Sequence, residues 1–122
     1  MSKNKTILII DDSNTSLVLL EWTLKEEGYN TLLAASVAEA RKIIMTKKPD
    51  LILLDLFMPE VSGYDFLKMK SDLNIKEVPI IILSAYDSPE SVKQTLDLGA
   101  NEFMAKPFNL KQIVQTIKKY LE

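Results

Sequence analysis

Three carboxylates are the residues best placed to do chemistry. Asp11 and Asp12 end the apolar run Ile7-Leu8-Ile9-Ile10, and Asp55 ends a second run, Leu51-Ile52-Leu53-Leu54. Four aliphatics in a row, bounded by polar residues, read as strands buried on both faces, the kind that build parallel sheets. Laid parallel and side by side, two such strands bring all three acids to one edge of the sheet. Each pair of like charges at that range costs on the order of 1 kcal/mol even in a water-like dielectric. A positive partner is therefore expected. A hard divalent cation is the simplest, and magnesium suits a site that offers few carboxylates plus water.

What the chain lacks narrows the chemistry further. Its 122 residues contain no histidine and no cysteine. Imidazole acid–base catalysis, histidine-ligated zinc, thiolate metal sites and disulfides are all excluded, and the chain cannot carry a phosphohistidine of its own. A net charge of -2 gives no electrostatic reason to expect nucleic acid or a membrane surface as partner. With 47% apolar and 26% charged residues, the balance is that of a soluble globular protein. One domain spanning residues 1–122 is expected. Met1-Ser2-Lys3-Asn4-Lys5 leads into the first strand without the apolar segment of a signal peptide. No run approaches the ~18 apolar residues of a membrane span, so a cytoplasmic location is the expectation.

The elements that must position the acids alternate at short intervals. The first strand covers Thr6 to Ile10, and a helix runs from near Asn14 to Glu27, ended by Gly28 as a left-handed cap. Asn30 to Ala35 reads as a second, weaker strand. Ser36-Val37-Ala38-Glu39 has capping-box spacing and opens a helix reaching about Thr46. After Pro49-Asp50 comes the third strand, Leu51 to Leu54, then a turn from Pro59 to Gly63 and a helix from Tyr64 to Leu73. Pro79 heads the fourth run, Ile80-Ile81-Ile82-Leu83, and Ser88-Pro89-Glu90 caps and opens the next helix. Gly99-Ala100 stops it. Phe103-Met104-Ala105 is a short fifth strand, and Asn109 caps a last helix to about Leu121.

Five strand–helix units predict an α/β doubly wound, five-stranded parallel sheet with helices on both faces. Such folds bind ligands at the carboxyl ends of their strands. Asp11, Asp12, Asp55, Ser84 and Lys106 all fall at or just beyond such ends.

The chain resembles the receiver domains of response regulators in two-component signalling, from about Lys5 to Tyr120. The residues that carry the resemblance are Asp11-Asp12, then Asp55 followed by Met58-Pro59 and Gly63, then Ser84-Ala85, Gly99-Ala100 and Lys106-Pro107-Phe108. The resemblance implies the flavodoxin-like strand order 2-1-3-4-5, with Asp55 as phosphoacceptor. A carboxylate oxygen can attack phosphorus to form an aspartyl phosphate, a labile mixed anhydride suited to a reversible signal. Mg2+, or Mn2+ in its place, would be held by Asp11, Asp12, Asp55 and the backbone carbonyl of Phe57. In receivers the second acid of the pair binds the ion directly and the first acts mainly through water. Lys106 would pair with the phosphoryl group as a point charge, and a cis bond is expected between Lys106 and Pro107. Ser84 and Phe103 would form the switch pair: the hydroxyl moves toward the phosphate, and the ring fills the space it leaves. Phe103 has no hydroxyl to keep in water, so its inward rotamer is expected to be well populated without phosphate. Phe57 and Tyr86 sit where receivers tune phosphoryl lifetime, and two bulky rings there predict slow dephosphorylation.

Each residue also has a plainer reading. An acid pair after a strand can serve as a helix-start cap, shared with Ser13, Asn14 and Thr15. Asp55 and Ser84 can be turn residues, Lys106 a solvated lysine, and Phe57 and Tyr86 rings packed over loops.

The first helix carries Leu17, Leu20 and Leu24 as a stripe for the sheet, while Val18, Leu19 and Trp22 fall on another side. That second side either packs on the last helix or meets a partner, which in this family is a histidine kinase or phosphotransfer helix. The last two helices and the strand between them form the family's output face, for a downstream protein, an attached output domain or a phosphorylation-dependent homodimer. Their Lys93, Lys111, Lys118 and Lys119 are dispersed, as on a solvated face. A flavodoxin-type small-molecule binder is the alternative of the same strand order, but residues 13–16 lack the glycine a phosphate loop needs. A haloacid-type phosphohydrolase needs an acid two residues after the nucleophile, where Phe57 stands. A receiver acting only as an interaction module is a third alternative.

Overall fold

The structure, a computed structural model, describes residues 5–58 and 60–122. The lead-in from Met1 to Asn4 and the turn residue Pro59 lie outside the described residues. Ten elements alternate: β1 (Thr6–Ile10), α1 (Asn14–Glu26), β2 (Asn30–Ala34), α2 (Val37–Thr46), β3 (Leu51–Asp55), α3 (Gly63–Lys68), β4 (Ile80–Ser84), α4 (Pro89–Asp97), β5 (Glu102–Ala105) and α5 (Leu110–Leu121). The strands form one sheet in the order β2-β1-β3-β4-β5, and every pairing is parallel. This is the expected doubly wound, flavodoxin-like order.

Alternate residues of the three central strands feed two separate cores, as the two-residue strand period requires. Leu8, Ile10, Ile52, Leu54, Ile80 and Ile82 pack with Ala40 and Ile44 of α2 and Phe66 and Leu67 of α3. Ile7, Ile9, Leu51, Leu53, Ile81 and Leu83 pack on the opposite face with Leu17, Leu20 and Leu24 of α1 and Ile113 and Ile117 of α5. The aliphatic runs are thus buried from both sides, which is why they carry no polar alternation.

Register then places the chemistry. Ile10 pairs with Leu54, and Asp55 pairs with Leu83. Asp11 therefore leaves β1 beside the end of β3, and Ser84 closes β4 one position beyond Asp55.

Local signals explain most boundaries. Ser13, Ser36, Ser62, Ser88 and Asn109 each cap a helix through a side-chain oxygen that accepts a backbone N–H three residues on. Glu39 completes its cap by accepting the N–H of Ala35, one residue before the capping serine. Gly28 has φ 92°, and the N–H of Tyr29 reaches back to the carbonyl of Leu24, closing α1 in a Schellman turn.

One boundary differs substantially. The sequence predicts a helix from Tyr64 to Leu73, but α3 stops at Lys68. Beyond it, Met69, Lys70 and Asn74 donate to carbonyls only three residues back, and Asn74 adopts φ 58°. These tight turns deliver buried Ile75 to the core, with Leu73 packed against it. β2 also ends one residue early, at Ala34, and β5 starts one residue early, at Glu102.

Candidate functional site

Asp11, Asp12 and Asp55 each present a carboxylate oxygen within 4.8 Å of the others. Asp11 is almost enclosed, at 2% exposure, while Asp12 faces solvent. One oxygen of Asp11 accepts the Ser13 N–H at 2.9 Å, and the other accepts the Lys106 ammonium at 2.8 Å. The plainer helix-start reading is therefore met in part. Asp11 orders the turn and Ser13 caps α1, yet Asp12 remains open toward the cluster.

Lys106 follows β5 directly and lies 3.8 Å from Asp55 Oδ2. Its own N–H donates to the Ser84 carbonyl at 2.8 Å, which extends the β4–β5 pairing past the strand end. The Lys106–Pro107 peptide bond is cis.

Burial and the neighbouring Asp11 charge push the Asp55 carboxyl up to about 6. Lys106 and a hydrogen bond from the Phe57 N–H pull it down, and Asp12 adds a smaller upward push. Lys106 offsets only one of three acidic charges. The surplus of two negative charges and an all-oxygen donor set fit one hard divalent cation. No nitrogen or sulfur ligand competes for the choice of ion.

Gly63 explains how α3 can start so close to Asp55. Its N–H donates to the Leu56 carbonyl at 2.8 Å, and a Cβ at Gly63 would lie 2.5 Å from the Asp55 carbonyl oxygen. Any side chain would push the β3–α3 turn away from the acid cluster. Sequence reading singled out this glycine as part of a pattern without the steric reason.

Ser84 is fully buried, and its hydroxyl oxygen accepts the Tyr86 N–H at 3.1 Å. That bond leaves the hydroxyl hydrogen uncommitted. Phe103 is half-buried and packs against the core on the α2 and α3 side, so its ring is not turned wholly outward.

Phe57 and Tyr86 are exposed and meet edge to face, with ring centroids 5.5 Å apart at 90°. The rings bridge the loops that leave β3 and β4. Phe57 also meets Tyr64 of α3 at 6.1 Å, a contact not anticipated from the sequence because the intervening turn hides it.

On α1, Leu17, Leu20 and Leu24 are buried as expected. Val18 and Trp22 are 62% and 65% exposed, so they do not pack on α5. Together with Asn14, Thr15 and Leu19 they line an open apolar depression beside the acid edge. On the other side, three of the four lysines of α4 and α5 are drawn into ion pairs: Lys93 with Asp97, Lys118 with Glu27 and Lys119 with Glu102. That is a solvated face and not a nucleic-acid patch. Among the described residues no helix is long and apolar enough to cross a membrane.

Known proteins agree with this architecture. Residues 7–118 match the response regulator receiver domain family. The sporulation initiation phosphotransferase F of Bacillus subtilis is 36% identical over 97% of this chain and 94% of its own length. The alkaline phosphatase synthesis regulator PhoP of the same organism is 35% identical, but the chain spans 49% of it. Among solved structures, the chemotaxis protein CheY4 of Vibrio cholerae superposes with a TM-score of 0.90 at 30% identity, covering 96% of this chain and 98% of that one. A response regulator of Chloroflexus aurantiacus gives 0.90 at 33% identity, with 98% of each chain covered. The chain belongs to the response regulator receiver domain family, whose members are aspartate-phosphorylated signalling domains and not enzymes in the ordinary sense.

Proposed function

We propose that residues 1–122 form one receiver domain of cytoplasmic two-component signalling, with Asp55 as its phosphoacceptor. One observation carries the assignment. Asp55 forms an ion pair with Lys106 at 3.8 Å without a hydrogen bond from it, whereas Asp11 has one oxygen engaged by the Ser13 N–H and the other by the Lys106 ammonium.

In the transfer, an Asp55 oxygen bonds to phosphorus as the phosphorus–nitrogen bond of a phosphohistidine breaks, and the donor imidazole takes up a proton. The chain has no histidine, so the donor ring belongs to a histidine kinase or phosphotransfer protein. Asp11, Asp12, Asp55 and the Phe57 carbonyl would hold Mg2+, with Mn2+ as a substitute. The ion supplies electrostatic stabilisation to the phosphoryl oxygens. Lys106 stands ready to leave Asp11 for a phosphoryl oxygen, and Ser84 can donate its hydroxyl hydrogen to another. Withdrawal of Ser84 toward the phosphoryl group leaves room for Phe103 to settle further inward.

The exposed face of α1 suits an apolar helix of the phosphodonor. The face of α4, β5 and α5 suits an output protein, an attached output domain or a phosphorylation-dependent second copy.

Incubation with Mg2+ and acetyl phosphate tests the assignment. Intact-mass measurement should show a gain of one phosphoryl group that Asp55→Ala and chelation of the metal each abolish. An unchanged gain in Asp55→Ala would refute it.

A further inference from the structure

Of the ten elements, α4 is attached to the molecule in the least apolar way. None of residues 89–97 belongs to either core, and the residues the helix buries are Ser91 and Thr95. Thr95 keeps its hydroxyl within the helix, donating to the Val92 carbonyl at 2.8 Å. Ser91, only 3% exposed, instead meets the Tyr64 hydroxyl of α3 with 2.6 Å between the oxygens. In the turn that ends α4, Lys70 donates to the Gly99 carbonyl at 3.0 Å. Apolar contact with the core comes in the turn after the helix, at Leu98 and Ala100, so a helix that buries hydroxyls along its own length belongs to the low end of local opening free energies.

Tyr64 does not stand alone. Its ring meets Phe57, and Phe57 meets Tyr86. Phe57 donates its N–H to the Asp55 carboxylate, and Tyr86 donates its N–H to the Ser84 hydroxyl. Both rings are therefore tied by backbone bonds to groups that take new partners when a phosphoryl group arrives. From the loops that frame Asp55, contact passes ring to ring and ends on a part-buried hydroxyl pair.

We propose that the Tyr64–Ser91 hydrogen bond is the principal anchor of α4, and that the aromatic file Tyr86–Phe57–Tyr64 sets its strength from the Asp55 and Ser84 loops. The direction of this coupling, from Asp55 outward, rests on the phosphoacceptor assignment. The anchor itself does not.

Amide hydrogen exchange on the unphosphorylated full chain tests it, read at Lys93 to Leu98. Tyr64→Phe keeps the ring and removes only the hydroxyl. It should raise exchange there about fivefold, the scale of one net hydrogen bond, with β3 and β4 unchanged. Ser91→Ala should do the same, and the double variant should exchange no faster than either single one. Phe57→Leu should raise exchange by a smaller factor, and add nothing in the Tyr64→Phe background. Unchanged α4 protection in Tyr64→Phe and Ser91→Ala would overturn the anchor. A Phe57→Leu effect that persists in full beside Tyr64→Phe would overturn the file. No phosphodonor is used, so these ratios stand apart from the acetyl phosphate result.

Discussion

Lys106 and Asp11 are 95 positions apart in the chain, and the ammonium of one lies 2.8 Å from the carboxylate of the other. The bond joins the end of β5 to the end of β1 across the mouth of the acid cluster. It leaves Asp55, 3.8 Å from the same ammonium, as the acid with the raised proton affinity.

Removing this ammonium should expose the conflict among the acids. In Lys106→Met, metal-free at pH 7, Asp11 loses its countercharge while still enclosed. Urea unfolding should show a loss of about 2–3 kcal/mol, below the range for fully enclosed pairs because the lysine side chain keeps 19% exposure. Mg2+ should restore part of the loss. A variant as stable as the parent would show that the pair contributes nothing.

The raised Asp55 carboxyl sets a pH dependence with a definite sign. Folded Asp55 titrates at about 6, whereas an unfolded aspartate titrates near ~3.9. Between those values the folded chain holds the extra proton, so this contribution to stability is present at low pH and is lost as pH rises through about 6. In metal-free buffer, the gap in urea midpoint between Asp55→Asn and the parent should therefore widen from pH 4 to pH 6.5 and then level off. Saturating Mg2+ should narrow the gap at pH 7, since the cation takes over the role of the proton. A gap independent of pH would contradict the crowding of charge described here.

Much of the fold was legible because its signals are local. Four-residue aliphatic runs name β1, β3 and β4, and serine or asparagine caps name α1, α2, α4 and α5, to within a residue or so; β2 and β5 carry weaker versions of the strand signal. α3 was read too long because no glycine or proline interrupts residues 64–73, whereas tight turns, with Asn74 at positive φ, end the helix at Lys68. The convergence of Asp11, Asp12, Asp55, Ser84 and Lys106 followed from strand ends in a parallel sheet. The bond of Lys106 to Asp11, and the contact of Tyr64 with Ser91, were not legible. Both depend on side-chain reach between elements far apart in sequence, which no spacing rule encodes.

Phe57 and Tyr86 stand half-exposed beside the cluster, and two rings there are expected to restrict the approach of water in line with a phosphoryl group on Asp55. Replacing Tyr86 with Asn, or Phe57 with Glu, should speed loss of the phosphoryl group severalfold in the presence of Mg2+. Decay followed by intact mass after donor removal gives the comparison. Equal rates in parent and variants would reject the shielding role.

Trp22 separates docking from chemistry. Since it is 65% exposed and outside both cores, Trp22→Ser should alter folding stability by no more than about 0.5 kcal/mol. Phosphorylation by acetyl phosphate should be unaffected. Transfer from a phosphorylated histidine phosphotransfer protein should slow, through weaker binding of the donor helix. Parallel losses with both donors would place Trp22 in the site and not on a docking face.

Reductive trapping tests the central claim most directly. Borohydride converts an aspartyl phosphate to homoserine, and peptide mapping then reads the position. After treatment with Mg2+ and acetyl phosphate, the conversion should occur at Asp55 alone. Conversion at Asp11 or Asp12, or a stable phosphoryl group on Ser84 with Asp55 unaltered, would contradict the account.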